Sequence, residues 1–351
     1  MASAVRPERI ATNMCLSMNR YEQPRVTFTD TILLGLEVRN GDGPIEHVIG
    51  YFNKVGNGSR STPVDADLMP RGVPLGRAAA SERDYFGWEI TPPQGNAMLI
   101  AVPAKPGTLT PECLVPVGKH PNFMKDYKKA IAPRPKSLTR AAFLGAPMGG
   151  ASDAIVVKDF DGGTYDVVIA NNARSIAQVI GQVDEGKRPL LNEELYAELD
   201  IVYPGFSFLL FCFAEKDADQ AGCALVKYQP TPLILEKRLL FLPGLDGHNG
   251  RIERGAVKLN HTLIVGSYQA SGTGSQVEFT DRELVMHRPY FLLDRVVGKI
   301  IPADMSAPQG DFLFLMDDVR KGTFCAKREL PPGWSKLPGA PARSQEPFYI
   351  R

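Results

Sequence analysis

Apolar and polar side chains alternate from Val26 to Val38. Val26, Phe28, Ile32, Leu34, Leu36 and Val38 fall on one parity, and Thr27, Thr29, Thr31, Glu37 and Arg39 on the other. A period of two predicts a β-strand with one face buried. Asn40-Gly41-Asp42-Gly43 then reads as a turn, and Ile45, His47, Ile49 and Tyr51 as the returning strand. His47 shares the apolar parity of that strand, which predicts a structural, at least half-buried imidazole. Residues 56–80 carry little periodicity and much Gly, Ser, Pro and Arg, so they read as a long loop. Tyr85–Trp88 and Met98–Val102 are predicted strands on either side of a Pro92–Asn96 turn.

Helical spacing enters at Phe123, Met124, Tyr127 and Ile131, with Asn122 as cap. A Pro-rich stretch at 132–135 and the glycines of 145–151 mark a domain boundary. Ala154–Val157 and Tyr165–Ala170 form a predicted hairpin around Asp161-Gly162-Gly163. Ile176, Val179, Ile180 and Val183 then follow i, i+3, i+4, i+7, with Asn171 or Asn172 to cap them, and a second short helix follows Asn192. Six strand-like runs come next: Ile201–Tyr203, Phe206–Phe213, Cys223–Tyr228, Leu233–Leu235, Leu239–Leu242 and Val257–Val265. No helix-length segment separates the last five, which argues against parallel crossovers and for antiparallel pairing between successive strands. Tyr290–Ile301, Phe312–Met316 and Thr323–Lys327 complete the apolar runs, and five prolines punctuate residues 330–351.

The expected fold is therefore mainly β (a β-rich α+β protein), with antiparallel sandwich or barrel-like sheets and a few short helices. The expected organisation is an N-terminal arm at 1–25, a β-rich domain at 26–150, a second with two short helices at 151–329, and a Pro-rich C-terminal tail at 330–351.

Composition narrows the function classes. Hydrophobic content of 44% and charged content of 23% are ordinary globular values. Forty Lys and Arg against 39 Asp and Glu leave no overall field for nucleic acid or an anionic membrane. The longest apolar run, Phe206–Ala214, is too short to span a bilayer, and Met1–Val26 has no apolar signal core, so a cytoplasmic setting is expected. The five cysteines include Cys212 and Cys223, which could face each other across a hairpin, either bridged or, as the cytoplasmic setting favours, reduced and buried.

Three clusters carry candidate chemistry. Asp246, His248 and His261 offer a carboxylate and two imidazoles, the ligand set of many open metal sites, although Asp-Gly and Asn-Gly are also ordinary turn residues. Seven basic residues and one acid lie between Lys119 and Arg140; Lys125, Lys128, Lys129 and Arg134 among them are candidates to bind an anion, against the alternative of a solvated helix face. The third cluster, Val156–Thr164, resembles the first motif of haloacid-dehalogenase-type phosphatases, an apolar strand ending in D-x-D-G-T, with one glycine inserted. That resemblance implies a Mg²⁺ site built from Asp159 and Asp161, with Asp317 and Asp318 as the late acids. A looser Ca²⁺-type set would be Asp159, Asp161 and Asp166. Leu242–Gly247 resembles the oxyanion-hole loop of α/β-hydrolases, but no G-x-S-x-G elbow follows it, which sets that family aside. No phosphate loop or dinucleotide fingerprint occurs.

The expected function is non-enzymatic binding or assembly through surface loops and the Pro-rich tail. A structural, self-associating subunit of a larger particle fits, with protein partners, no membrane, no nucleic acid and no cofactor. The alternative is a metal-dependent hydrolase centred on Asp246, His248 and His261 or on Asp159, Asp161, Asp317 and Asp318, with a divalent metal.

Overall fold

The computed structural model describes residues 16–17, 26–57, 95–105, 107–120, 122–132, 153–218, 220–221, 223–245, 250–270, 272–286, 291–338 and 347–351. Arg134, Asp246 and His248, the 56–80 loop beyond Asn57, and Tyr85–Trp88 lie outside them.

Sheet I runs β1 (Leu16–Ser17), β4 (Asn96–Val102), β7 (Ser207–Phe213), β6 (Tyr165–Ala170), β5 (Ala154–Phe160), all antiparallel. Sheet II runs β12 (Ser275–Gln276), β13 (Arg295–Ile300), β11 (His261–Ser267), β2 (Val26–Arg39), β3 (Ile45–Asn57), β8 (Cys223–Tyr228). Sheet III runs β17 (Phe348–Ile350), β16 (Ala326–Glu329), β15 (Asp311–Leu315), β9 (Leu239–Leu242). A short pair joins β10 (Val257–Lys258) to β14 (Ser306–Ala307). Among the described residues, six short α-helices complete the fold: α1 (Phe123–Ile131), α2 (Ser175–Val179), α3 (Glu193–Val202), α4 (Pro232–Glu236), α5 (Arg282–Met286) and α6 (Met316–Arg320). The molecule is mostly β with antiparallel sheets and few short helices.

The β2–β3 hairpin forms as the alternation requires, with Arg39 opposite Ile45 and a bulge between Thr29 and Ile32 where Asp30 adopts φ 56°. Strand β2 is buried on both faces. Ile32, Leu34, Leu36 and Val38 face α1 and α5, while Leu33 faces the larger core shared with sheets I and III. Gly35 lets β9 approach: an added Cβ would sit 2.9 Å from a Leu242 methyl.

The order of neighbours departs from the sequence expectation. Strands β7, β8, β9 and β11 do not pair with one another; they are distributed over three sheets. All seven positions of β7, and all seven of β11, are buried. Such runs are central strands that need a partner on each side, and they recruit β4 and β6, or β2 and β13, from distant sequence. The β11–β2 pair is parallel, from His261 opposite Thr31 to Ser267 opposite Glu37. A parallel partner so far away in sequence faces no crossover limit. Cys212 therefore lies in sheet I and Cys223 in sheet II, outside any common hairpin; both are free thiols, and burial pushes each thiol pKa up.

Three local readings also change. Leu233–Leu235 is helical, because Pro232 stands in the first helical turn after Thr231. Ile201 and Val202 end α3, whose start is capped by the Asn192 side chain accepting from Leu195 N. Val257–Val265 is interrupted at Leu259 and Asn260. Sheets I and II each draw strands from both sides of residues 133–152, so residues 26–150 and 151–329 share these layers. The tail is partly built in: Trp334 is fully buried, β17 extends sheet III, and Gly333 passes so close to α3 that a Cβ would meet the Ile201 carbonyl oxygen.

Candidate functional site

His261 begins β11 with 3% of its surface exposed, its ring 6.1 Å from that of Phe312. Among the described residues, neither ring nitrogen has a hydrogen-bond partner. Burial, and then the nearby Arg328 charge, hold its pKa down to about 3, so the imidazole is neutral at pH 7. Its expected co-ligands Asp246 and His248 lie outside the described residues.

The Gly244 and Leu245 amides, in the stretch whose sequence resembles an oxyanion-hole loop, already hold a carboxylate. Gly244 N and Leu245 N donate to Asp311 Oδ1 at 2.9 and 3.2 Å, and Tyr203 OH donates to the same carboxylate at 2.9 and 3.0 Å. Arg328 donates to the Gly244 and Pro308 carbonyls and stacks 4.3 Å over the Phe312 ring. Burial pushes the Asp311 pKa up to about 6, against the hydrogen bonds that favour the carboxylate. This knot joins the end of β9 to β15, β16 and the residue after α3. Sequence reading passed over all three of its side chains. Asp311 opens an apolar strand, and nothing local marks it as buried.

The acids of the phosphatase-like motif do not assemble as that resemblance implies. Asp159 lies in the irregular end of β5 and Asp161 in the β5–β6 turn, at φ 49° and 56°. Asp161 accepts from Gly118 N at 2.7 Å, tying the turn to the segment before α1. Asp317, on α6, pairs instead with Arg238 and Arg320. Among the described residues, the acids that do converge are Asp159, Asp166 and Asp184, with carboxylate oxygens within 4.8 Å. Lysines already occupy that space. Lys187 Nζ lies 3.0 Å from Asp166 and 3.4 Å from Asp159, while Lys158 Nζ lies 3.0 Å from Asp166 and also pairs with Asp184. Asp166 further accepts from the amides of Asp159 and Asp184. Burial pushes its carboxyl up, but those donors and the two ammonium groups outweigh it and the net shift is downward. Asp166 is thus a buried brace rather than an open cation site.

The lysines of α1 serve different ends. Lys128 pairs with Asp30, Lys125 reaches Asn122 at 3.5 Å, and Lys129 points to solvent. The opposite side of α1 is buried through Phe123, Met124 and Tyr127, and Asp126 accepts from Thr280 N and Oγ1 at 2.8 and 2.9 Å.

Between α1 and α5 lies a cleft of about 270 Å³, with Val117, Phe123, Leu225, Leu284, Phe291 and Leu292 in its walls. Among the described residues, His120 and Glu283 are its titratable lining residues. His120 Nδ1 stands 2.7 Å from Asp281 Oδ2, and Asp281 Oδ1 accepts from Leu284 N. The His120 bond, then the Leu284 amide, hold the Asp281 carboxyl below its ordinary range. On the same helix, Val285 and Met286 are 50% and 75% exposed. These solvated apolar side chains, and the cleft that Leu284 lines, are what sequence periodicity missed, since a five-residue helix is too short to show a face.

No family model and no curated protein matches the chain. Among solved structures, it is similar to a mutated baculovirus P35 after caspase cleavage at 11% identity and TM-score 0.37, covering 82% of this chain and 92% of that one. It is also similar to baculovirus P35 at 12% identity and TM-score 0.33, covering 83% and 89%. At these values the likeness carries no argument about sites. Among the described residues, no helix is long and apolar enough to cross a membrane.

Proposed function

We propose that the chain is a non-enzymatic binding protein that acts through protein contacts, copies of itself among them, in a cytoplasmic setting. Two observations on α5 carry this reading: Val285 and Met286 stand exposed, and Leu284 of the same helix lines the cleft. A cavity of about 150 Å³ holds a benzene ring. The cleft, at about 270 Å³, therefore has room for a large apolar side chain from another chain. Anchors of this kind, seated in a pocket and ringed by weaker contacts, supply most of the energy of protein interfaces.

Four buried polar groups serve the fold. Asp311, Asp166 and Glu37 are each saturated by internal donors. His261 is sealed and neutral. None of these four presents a reactive atom to solvent.

Sedimentation velocity of the full chain over a wide concentration range tests the proposal. The expected result is reversible self-association that is lost when Val285→Lys and Met286→Lys are combined. Both positions are exposed, so the double variant should keep its fold, with each change costing no more than about 0.5 kcal/mol. Self-association that survives the double variant would remove this face from consideration. A strict monomer at all concentrations would remove self-association.

A further inference from the structure

We propose that the slot beneath the Pro243–Leu245 turn is a binding site for a single buried water molecule, held by His261. The slot measures about 20 Å³ and is walled by Leu33 and Tyr51 of sheet II, Leu99–Ala101 of sheet I, Tyr203, the 243–245 turn and His261. By this measure a water needs roughly 10–15 Å³, so one water fits and no larger ligand does.

Volume alone does not wet a cavity, because apolar cavities of greater size stay dry. The deciding feature is His261. It is fully buried, lines the slot, and leaves both ring nitrogens without a protein partner. A neutral imidazole carries one N–H donor and one acceptor, and a water can serve either. The second anchor is Tyr203. Its hydroxyl hydrogen is committed to Asp311, which leaves the oxygen lone pair to accept from a water in the same slot. The Gly244 and Leu245 amides are taken by Asp311, so they offer this water no donor. It would link His261 on β11 to the Tyr203–Asp311 knot, a contact that the two side chains do not make directly.

A high-resolution crystal structure of the unmodified protein tests this, alongside oxygen-17 relaxation dispersion, which counts long-lived internal waters. The expected result is one ordered water within hydrogen-bond distance of a His261 ring nitrogen. The dispersion amplitude should fall by one water in His261→Leu, and in His261→Phe if the leucine variant does not fold. An empty slot in the wild-type density, or a dispersion unchanged in a folded variant, would overturn the assignment. If neither variant folds, the wild-type density alone decides.

Discussion

Moderate acid should destabilise this protein, and two histidines set the slope. His47 and His261 are each held down from an ordinary 6.5 to about 3 by burial. His47 packs its ring edge-on to Tyr228 at 5.8 Å, and its Nδ1 has no hydrogen-bond partner. A depressed folded-state pKa means that the unfolded chain binds the proton first. The stability gained by keeping each imidazole neutral is complete above pH 6.5 and is lost as pH falls from there towards 3. Each proton is worth about 1.36 kcal/mol per pH unit, so at pH 5 each histidine costs about 2 kcal/mol and the pair about 4 kcal/mol.

Asp311 works in the opposite sense. Its folded pKa is raised from 3.8 to about 6, so its contribution is full at low pH and lost as pH rises through 6. On acidification to pH 5 it returns about 1.4 kcal/mol. The net loss between pH 7 and 5 is therefore about 2–3 kcal/mol, a large share of the stability of an ordinary domain. Urea unfolding at pH 7, 6 and 5 measures it, with the slope of free energy on denaturant held constant. His261→Phe should remove about half of the histidine contribution, whatever it does to stability at pH 7. Equal stability at pH 7 and 5, or a variant with the wild-type slope, would refute the assignment of these imidazoles as buried and neutral.

Other perturbations test the remaining networks. Asp311→Leu leaves the Gly244 and Leu245 amides and the Tyr203 hydroxyl without their shared acceptor, and thermal unfolding should report a loss of about 3–5 kcal/mol. Asp166→Asn removes the carboxylate that two lysines share and should cost about 3 kcal/mol in urea; Mg²⁺ or Ca²⁺ should leave the wild-type Tm where it is, and a saturable upward shift would contradict the lysine-filled reading. Glu37→Gln weakens a buried acceptor of Arg320 and Ser267 that ties β2 to α6 and β11, with an expected loss of about 3 kcal/mol by the same assay.

Much of the local structure was legible in the sequence. The β2–β3 hairpin follows from its alternation and its Asn40–Gly43 turn, the β5–β6 hairpin from Asp161-Gly162-Gly163, and α3 from its Asn192 cap. What was not legible is who lies beside whom. An unbroken apolar run such as Ser207–Phe213 announces a central strand but not its partners, and here these arrive from Asn96–Val102 and Tyr165–Ala170. The same holds for the polar knots. Asp166, Asp311 and Glu37 look like ordinary strand acids; their burial depends on Lys187, Tyr203 and Arg320, which are 21, 108 and 283 residues away. His261 was singled out for its chemistry, but its burial follows from the β11–β2 pairing, which its sequence neighbours do not announce.

Hydrogen–deuterium exchange of the full chain at low and high protein concentration addresses the proposed binding face most directly. Exchange at residues 282–286 and in the cleft wall at 115–123 should slow as concentration rises, while the already buried strands of sheet I stay unchanged. Unaltered exchange at both segments, with new protection confined to another surface, would contradict the assignment of the α5 face as the contact surface.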